Sequence, residues 1–198
     1  MLTLIILVLG PSRMRAQQIL FDSFTPPITA GGFSSANGGN SIQVSVTSDV
    51  RVGGISVLNR MYTEGNLRFV VLSHPQHQFI YLSPPKAFPA DLPDFPTWKQ
   101  SDPMEFTFLA GHDYLVGYLR SVPVDDVGDR IAESSSGITS ELACHCLSNY
   151  SSPTYSHNCL NSVDFAVRIY TVPEPSTLLL IGIGAISLVG YRKAKLHG

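Results

Sequence analysis

The sequence predicts an all-β protein: an antiparallel β-sandwich of jelly-roll-like type, followed by a single short transmembrane helix at the C-terminus. Three observations carry this reading. Apolar residues recur with a period of two through much of Ser41 to Thr171, no segment there shows a convincing helical stripe, and a final apolar run is bounded by prolines on one side and basic residues on the other. Composition agrees. Only 14% of the residues are charged, against about 25% in a typical soluble domain, and a chain so poor in Lys and Glu argues against a helical protein.

The strands follow in order. Ile42–Val46 alternates strictly, as do Met104–Phe108 and Val163–Ile169, where Val163, Phe165, Val167 and Ile169 share one face and Asp164 and Arg168 the other. Looser patterns mark strands at Val50–Leu58, Leu67–Leu72, Gln78–Leu82 and Tyr114–Arg120. Gly53-Gly54 inside the first of these predicts a bulge or a bend. Glu64-Gly65-Asn66 and Ala110–Asp113 read as turns between strands. Two long segments read as irregular. Ser83–Pro103 holds six prolines and the only tryptophan, Trp98; Val122–Ser162 is polar and holds all three cysteines, with a further strand near Gly137–Leu142 left open.

At 198 residues the chain has room for one domain with terminal segments. Residues 1–16 read as a signal peptide: Leu2 to Leu9 is uniformly apolar and too short to span a bilayer, with a buried strand as the alternative. Residues 17–171 form the sandwich. Eight Arg or Lys against fourteen Asp or Glu leave the middle of the chain at about −6, which argues against a nucleic-acid partner.

Residues 172–198 carry the most specific signal. The run Thr177 to Tyr191 is fifteen residues, about 22 Å as a helix against a hydrocarbon core of about 30 Å, so it is a marginal permanent anchor. Pro173 and Pro175 disfavour helix before Ser176, and Glu174 stands where a helix N-terminus favours negative charge. Arg192, Lys193 and Lys195 supply a basic stop on the cytoplasmic side. Val172-Pro173-Glu174-Pro175, a glycine-containing apolar helix and a basic cluster, in that order, resemble the PEP-CTERM sorting signal of Gram-negative bacteria. Ala194 interrupts the basic cluster, where that family usually ends in a dense arginine run. The resemblance implies recognition of Pro173, Glu174 and Pro175 by a membrane-embedded exosortase and cleavage near them. It further implies a transient stay in the inner membrane and delivery to the cell surface or extracellular matrix. The strand pattern over 54–72 and 104–119 is similar to the β-sandwich ectodomains found ahead of such tails.

The candidate chemistry is sparse. In an exported protein Cys144, Cys146 and Cys159 point first to a disulfide, Cys146–Cys159 or Cys144–Cys159, with one thiol left over. Pairing 146 with 159 closes a loop of about fourteen residues, worth roughly 3 kcal/mol in a chain-entropy treatment. A zinc site from these cysteines with His145 and His157 has no familiar spacing. Asp125, Asp126 and Asp129 read as a solvated acidic turn rather than a calcium loop, and His74 and His77 as a surface turn. Trp98, with Phe95 and Tyr62, Tyr81, Tyr114 and Tyr118, offers aromatic surface for a sugar, Trp98 being the best single contact, although the strand tyrosines fit core or rim packing better. No nucleophile–base pair, phosphate loop or metalloprotease helix appears. The expectation is therefore a non-enzymatic protein without cofactor or metal. Its role is structural or adhesive within exopolysaccharide, with a carbohydrate-binding module as the alternative and a secreted hydrolase a distant third.

Overall fold

A computed structural model describes residues 18–24, 32–92, 95–128, 134–158 and 166–172. Fifteen strands run through them: β1 (Ile19–Asp22), β2 (Gly32–Ser34), β3 (Gly38–Val46), β4 (Val50–Met61), β5 (Gly65–His74), β6 (Phe79–Leu82), β7 (Lys86–Phe88), β8 (Thr97–Gln100), β9 (Phe106–Phe108), β10 (Asp113–Arg120), β11 (Val124–Asp126), β12 (Ser134–Ser135), β13 (Ile138–Ser148), β14 (Thr154–Asn158) and β15 (Ala166–Thr171). There is no helix among the described residues. The signal peptide expected over 1–16 and the transmembrane helix expected over 177–191 lie outside the described residues, as do Val163, Asp164 and Phe165.

The strands form two antiparallel sheets. The first contains β1, β2, β4, β8, β9, β11 and β15; the second contains β3, β5, β6, β7, β10, β12, β13 and β14. β4 is the spine of the first sheet. Leu58 pairs with Ala166 and with Trp98, and Asn59 pairs with Asp126 and with Thr97, so β15 and β11 share one edge of β4 and β8 runs along the other. In the second sheet, β10 lies between β3 and β5, and β13 continues the sheet beyond β3.

One core joins the sheets. Val50, Val52, Ile55, Val57 and Met61 of β4 meet Val44 and Val46 of β3, Leu67, Phe69 and Val71 of β5, and Tyr114, Val116 and Tyr118 of β10. The inward residues of β4 change parity between Val52 and Ile55. The cause is the predicted irregularity: Tyr170 pairs with Gly54 and Thr171 with Val52, so Gly53 is an extra residue bulged out of the ladder. A Cβ on Gly53 would stand 2.2 Å from the carbonyl oxygen of Thr171, so only glycine fits. A second cluster explains why β5 reads as continuously apolar. Val70 and Leu72 join Leu115, Leu119 and Leu147 on the other face of the second sheet, with Phe79, Leu82, Tyr150 and Tyr155 packed against them.

Strands enter both segments expected to be irregular, as two short pieces in the first, which is otherwise irregular, and over about half of the second. β7 and β8 lie within 83–103, and β11 to β14 lie within 122–162. Polar side chains satisfied by distant partners explain both. In the proline-rich segment, Lys99 and Asp91 are an ion pair with side chains only 3% and 4% exposed. Lys99 Nζ donates to both carboxylate oxygens at 2.6 and 2.7 Å, and Asp91 also accepts from the Met61 backbone N–H at 2.7 Å. The pair fastens the segment to the end of β4. Asp126 in β11 is the second case, and corrects the expectation of a solvated acidic turn. Its carboxylate is completely buried, accepts from Ser34 Oγ and Asn40 Nδ2 at 2.7 Å each, and takes a short hydrogen bond from the Tyr118 hydroxyl. Ser34 and Asp126 belong to the first sheet, Asn40 and Tyr118 to the second. Asp129 lies outside the described residues.

Burial raises the pKa of Asp126 above its ordinary 3.8, although Arg120 and the three hydrogen bonds work in the opposite direction. The folded state therefore holds this proton to higher pH than the unfolded chain does, and the residue's contribution to stability falls as pH rises through that window. The wild-type unfolding free energy, less that of Asp126→Asn, should decrease as pH is raised from about 4 through the raised folded value; a difference independent of pH contradicts the assignment. For the other buried group, Asp91→Ala strands the Lys99 ammonium. Urea titration should show a loss of about 3–5 kcal/mol, and a loss under about 1 kcal/mol, the range of exposed pairs, contradicts a buried pair.

Candidate functional site

Three places are candidates for function. The first is where the chain leaves the sandwich. Thr171 N–H donates to the Gln18 carbonyl at 2.9 Å, and Gln18 N–H donates to Thr171 Oγ1 at 3.1 Å. Both chain ends of the unit Gln18–Val172 are thus tied at one corner. The unit stops at Val172, immediately before Pro173, Glu174 and Pro175. These three, together with Arg192, Lys193 and Lys195, lie outside the described residues.

The second place is the outer face of the first sheet. Register aligns Phe33, Asp125 and Arg60 across β2, β11 and β4. Phe33 is 65% and Tyr62 48% exposed, with ring centroids 6.4 Å apart. The Arg60 guanidinium lies 4.9 Å from the Tyr62 ring centroid. Asp125 accepts short hydrogen bonds from Arg60 and from the Tyr62 hydroxyl, and holds that hydroxyl's pKa above the ordinary phenol value. Trp98 lies on β8 rather than in a loop. It is half-buried, with the Arg168 guanidinium 3.9 Å from its ring centroid and Phe24 edge-on at 6.0 Å. The other aromatic candidates do not gather around it. Tyr114 and Tyr118 are buried in the central core, Tyr81 packs against that core, and Phe95 is exposed.

The third place is a histidine cluster. His74 ends β5, and His77 sits in the turn to β6 with a left-handed φ of 57°. That turn is held by His77 N–H to the Ser73 carbonyl at 2.8 Å and Ser73 N–H to the Gln78 carbonyl at 2.9 Å. His77 stacks on Tyr155 at 3.6 Å between centroids, with planes 2° apart. The Tyr155 hydroxyl is 3.1 Å from Nδ1 of His145, which is only 2% exposed. His74 lies 5.3 Å from His77 and 5.6 Å from His145, and His77 lies 6.3 Å from His145. Burial, and secondarily His74, lower the His77 pKa, which keeps this imidazole neutral at neutral pH. The sequence placed His74 and His77 on a turn but gave no sign that His145, far along the chain, closes on them.

Beside His145, Cys146 is disulfide-bonded. It pairs in register with His157, and Cys159, two residues further on, lies outside the described residues, as does the side chain of Cys144. A disulfide sulfur is no thiolate ligand, so the cysteine-based zinc reading loses Cys146.

Comparison with known proteins bears on the first of these places. Residues 171–193 match the PEP-CTERM protein-sorting motif. No curated protein matches the chain. Over these residues the chain is similar to a sorting signal of the kind that exosortases process.

Proposed function

We propose that this is a non-enzymatic ectodomain delivered by its C-terminal signal to the cell surface or extracellular matrix, where it acts as a structural or adhesive component within exopolysaccharide. The observation that carries the reading is the match at 171–193, which begins on the last two residues of a folded unit that ends at Val172. On this reading the tail is held briefly in the inner membrane by the segment Thr177–Tyr191 and the basic residues Arg192, Lys193 and Lys195, and Pro173, Glu174 and Pro175 are the recognised motif. The passage of the chain back and forth between two sheets is read as jelly-roll-like. Replacing Pro173, Glu174 and Pro175 by alanine should leave full-length protein in the membrane fraction and remove it from the cell surface and medium. An unchanged distribution between fractions contradicts the reading.

A second reading, carbohydrate binding, is favoured by the exposed pair Phe33 and Tyr62 beside Arg60 and Asp125. Aromatic faces flanked by charged hydrogen-bonding groups suit sugar rings, whose C–H faces stack while their hydroxyls are bonded. Trp98 fits this role less well, because a cation covers one face of its ring. Glycan-array binding that falls at least about tenfold in Phe33→Ala supports this second reading; binding that survives the substitution removes its basis.

A further inference from the structure

We propose that His74, His77 and His145 form a binding site for one divalent late-transition ion of the zinc and copper class, with solvent or an external ligand in the remaining position.

Three observations carry the site. The first is convergence: the three imidazoles come from β5, the turn after it and β13, and each ring centre lies within 6.3 Å of the other two. The circle through the three ring centres has a radius of about 3.3 Å, and an ion about 2.0–2.1 Å from a ring nitrogen stands about 3.2 Å from the ring centre. The second is unmet bonding capacity. His74 Nδ1 and His77 Nε2 are both buried and without a hydrogen-bond partner. A buried polar atom without a partner is costly, and two of them in one cluster of imidazoles call for a ligand. The third is support from Tyr155. Its ring stacks on His77 and its hydroxyl engages His145 Nδ1, so a metal bond from His145 is made through Nε2. Partners behind the ligands that fix ring orientation in this way are a usual feature of metal sites.

As placed, no three His, Cys, Asp or Glu side chains among the described residues are converged on an ion. Closure requires the rings to draw inward and His74 to turn about χ2, a torsion that is soft in histidine, while Tyr155 holds the planes of the other two. Imidazole donors select zinc, copper or nickel over calcium and magnesium, and unlike thiols they survive an oxidising compartment.

The test uses the full chain, stripped with chelator and titrated calorimetrically with zinc chloride, with cupric ion as the spectroscopic probe. The expected result is one zinc per chain and a cupric spectrum showing coupling to at least two imidazole nitrogens. His74→Ala and His77→Ala, both at half-buried positions, should each weaken zinc binding at least about tenfold while the far-ultraviolet circular dichroism is unchanged. Tyr155→Phe keeps the stack and loses the hydroxyl, and should weaken binding less than either. No saturable binding by the wild-type chain overturns the proposal. So does binding unaltered in the His74→Ala/His77→Ala double variant, since the ion is then held elsewhere.

Discussion

The two sheets are held in one arrangement by a buried carboxyl group. Apolar contacts between β4 and the strands β3, β5 and β10 supply most of the burial, but such contacts are non-directional and tolerate sliding. The Asp126 carboxylate is directional. It sits between the sheets, takes hydrogen bonds from Ser34 on its own side and from Asn40 and Tyr118 on the other, and none of these donors has water to fall back on. A polar group buried this deeply is costly if any partner moves away, so register in both sheets is fixed at once. The ion pair of Lys99 and Asp91 does the same at the edge, fastening the proline-rich segment to the end of β4.

This frame places the chain's exit. β15 pairs with both β1 and β4, and the bulge at Gly53 lets Thr171 approach the backbone of β4 closely. The last residue of the folded unit is Val172, and the match to the sorting motif begins at Thr171, the last residue of that strand, and continues to residue 193. Cleavage near Pro173-Glu174-Pro175 would leave every core residue of the sandwich in place.

The sequence made the regular parts of this plain. Ile42–Val46 and the pair Val167 and Ile169 alternate because one face meets the core, and the tail announces itself by three features in a fixed order. The strand β4 looked less regular because the bulge at Gly53 reverses its parity midway. β11 was hidden because Asp125-Asp126 reads as a turn; only the arrival of Asn40, Ser34 and Tyr118 makes the middle of a sheet tolerable for Asp126. β13 showed only as an open possibility near Gly137–Leu142, its length obscured by polar residues such as Ser140 and His145 at buried positions and by a register shift between Ser140 and Cys144. The histidine cluster could not be read at all, since its third member comes from a strand whose placement depends on that same register.

Intact-mass measurement and C-terminal peptide mapping of the protein recovered from cells and medium test the central claim most directly. The expected main species ends near Pro173-Glu174-Pro175, lacks Arg192–Gly198 and retains the whole of the folded unit. Recovery of the main species with Arg192–Gly198 still attached contradicts it.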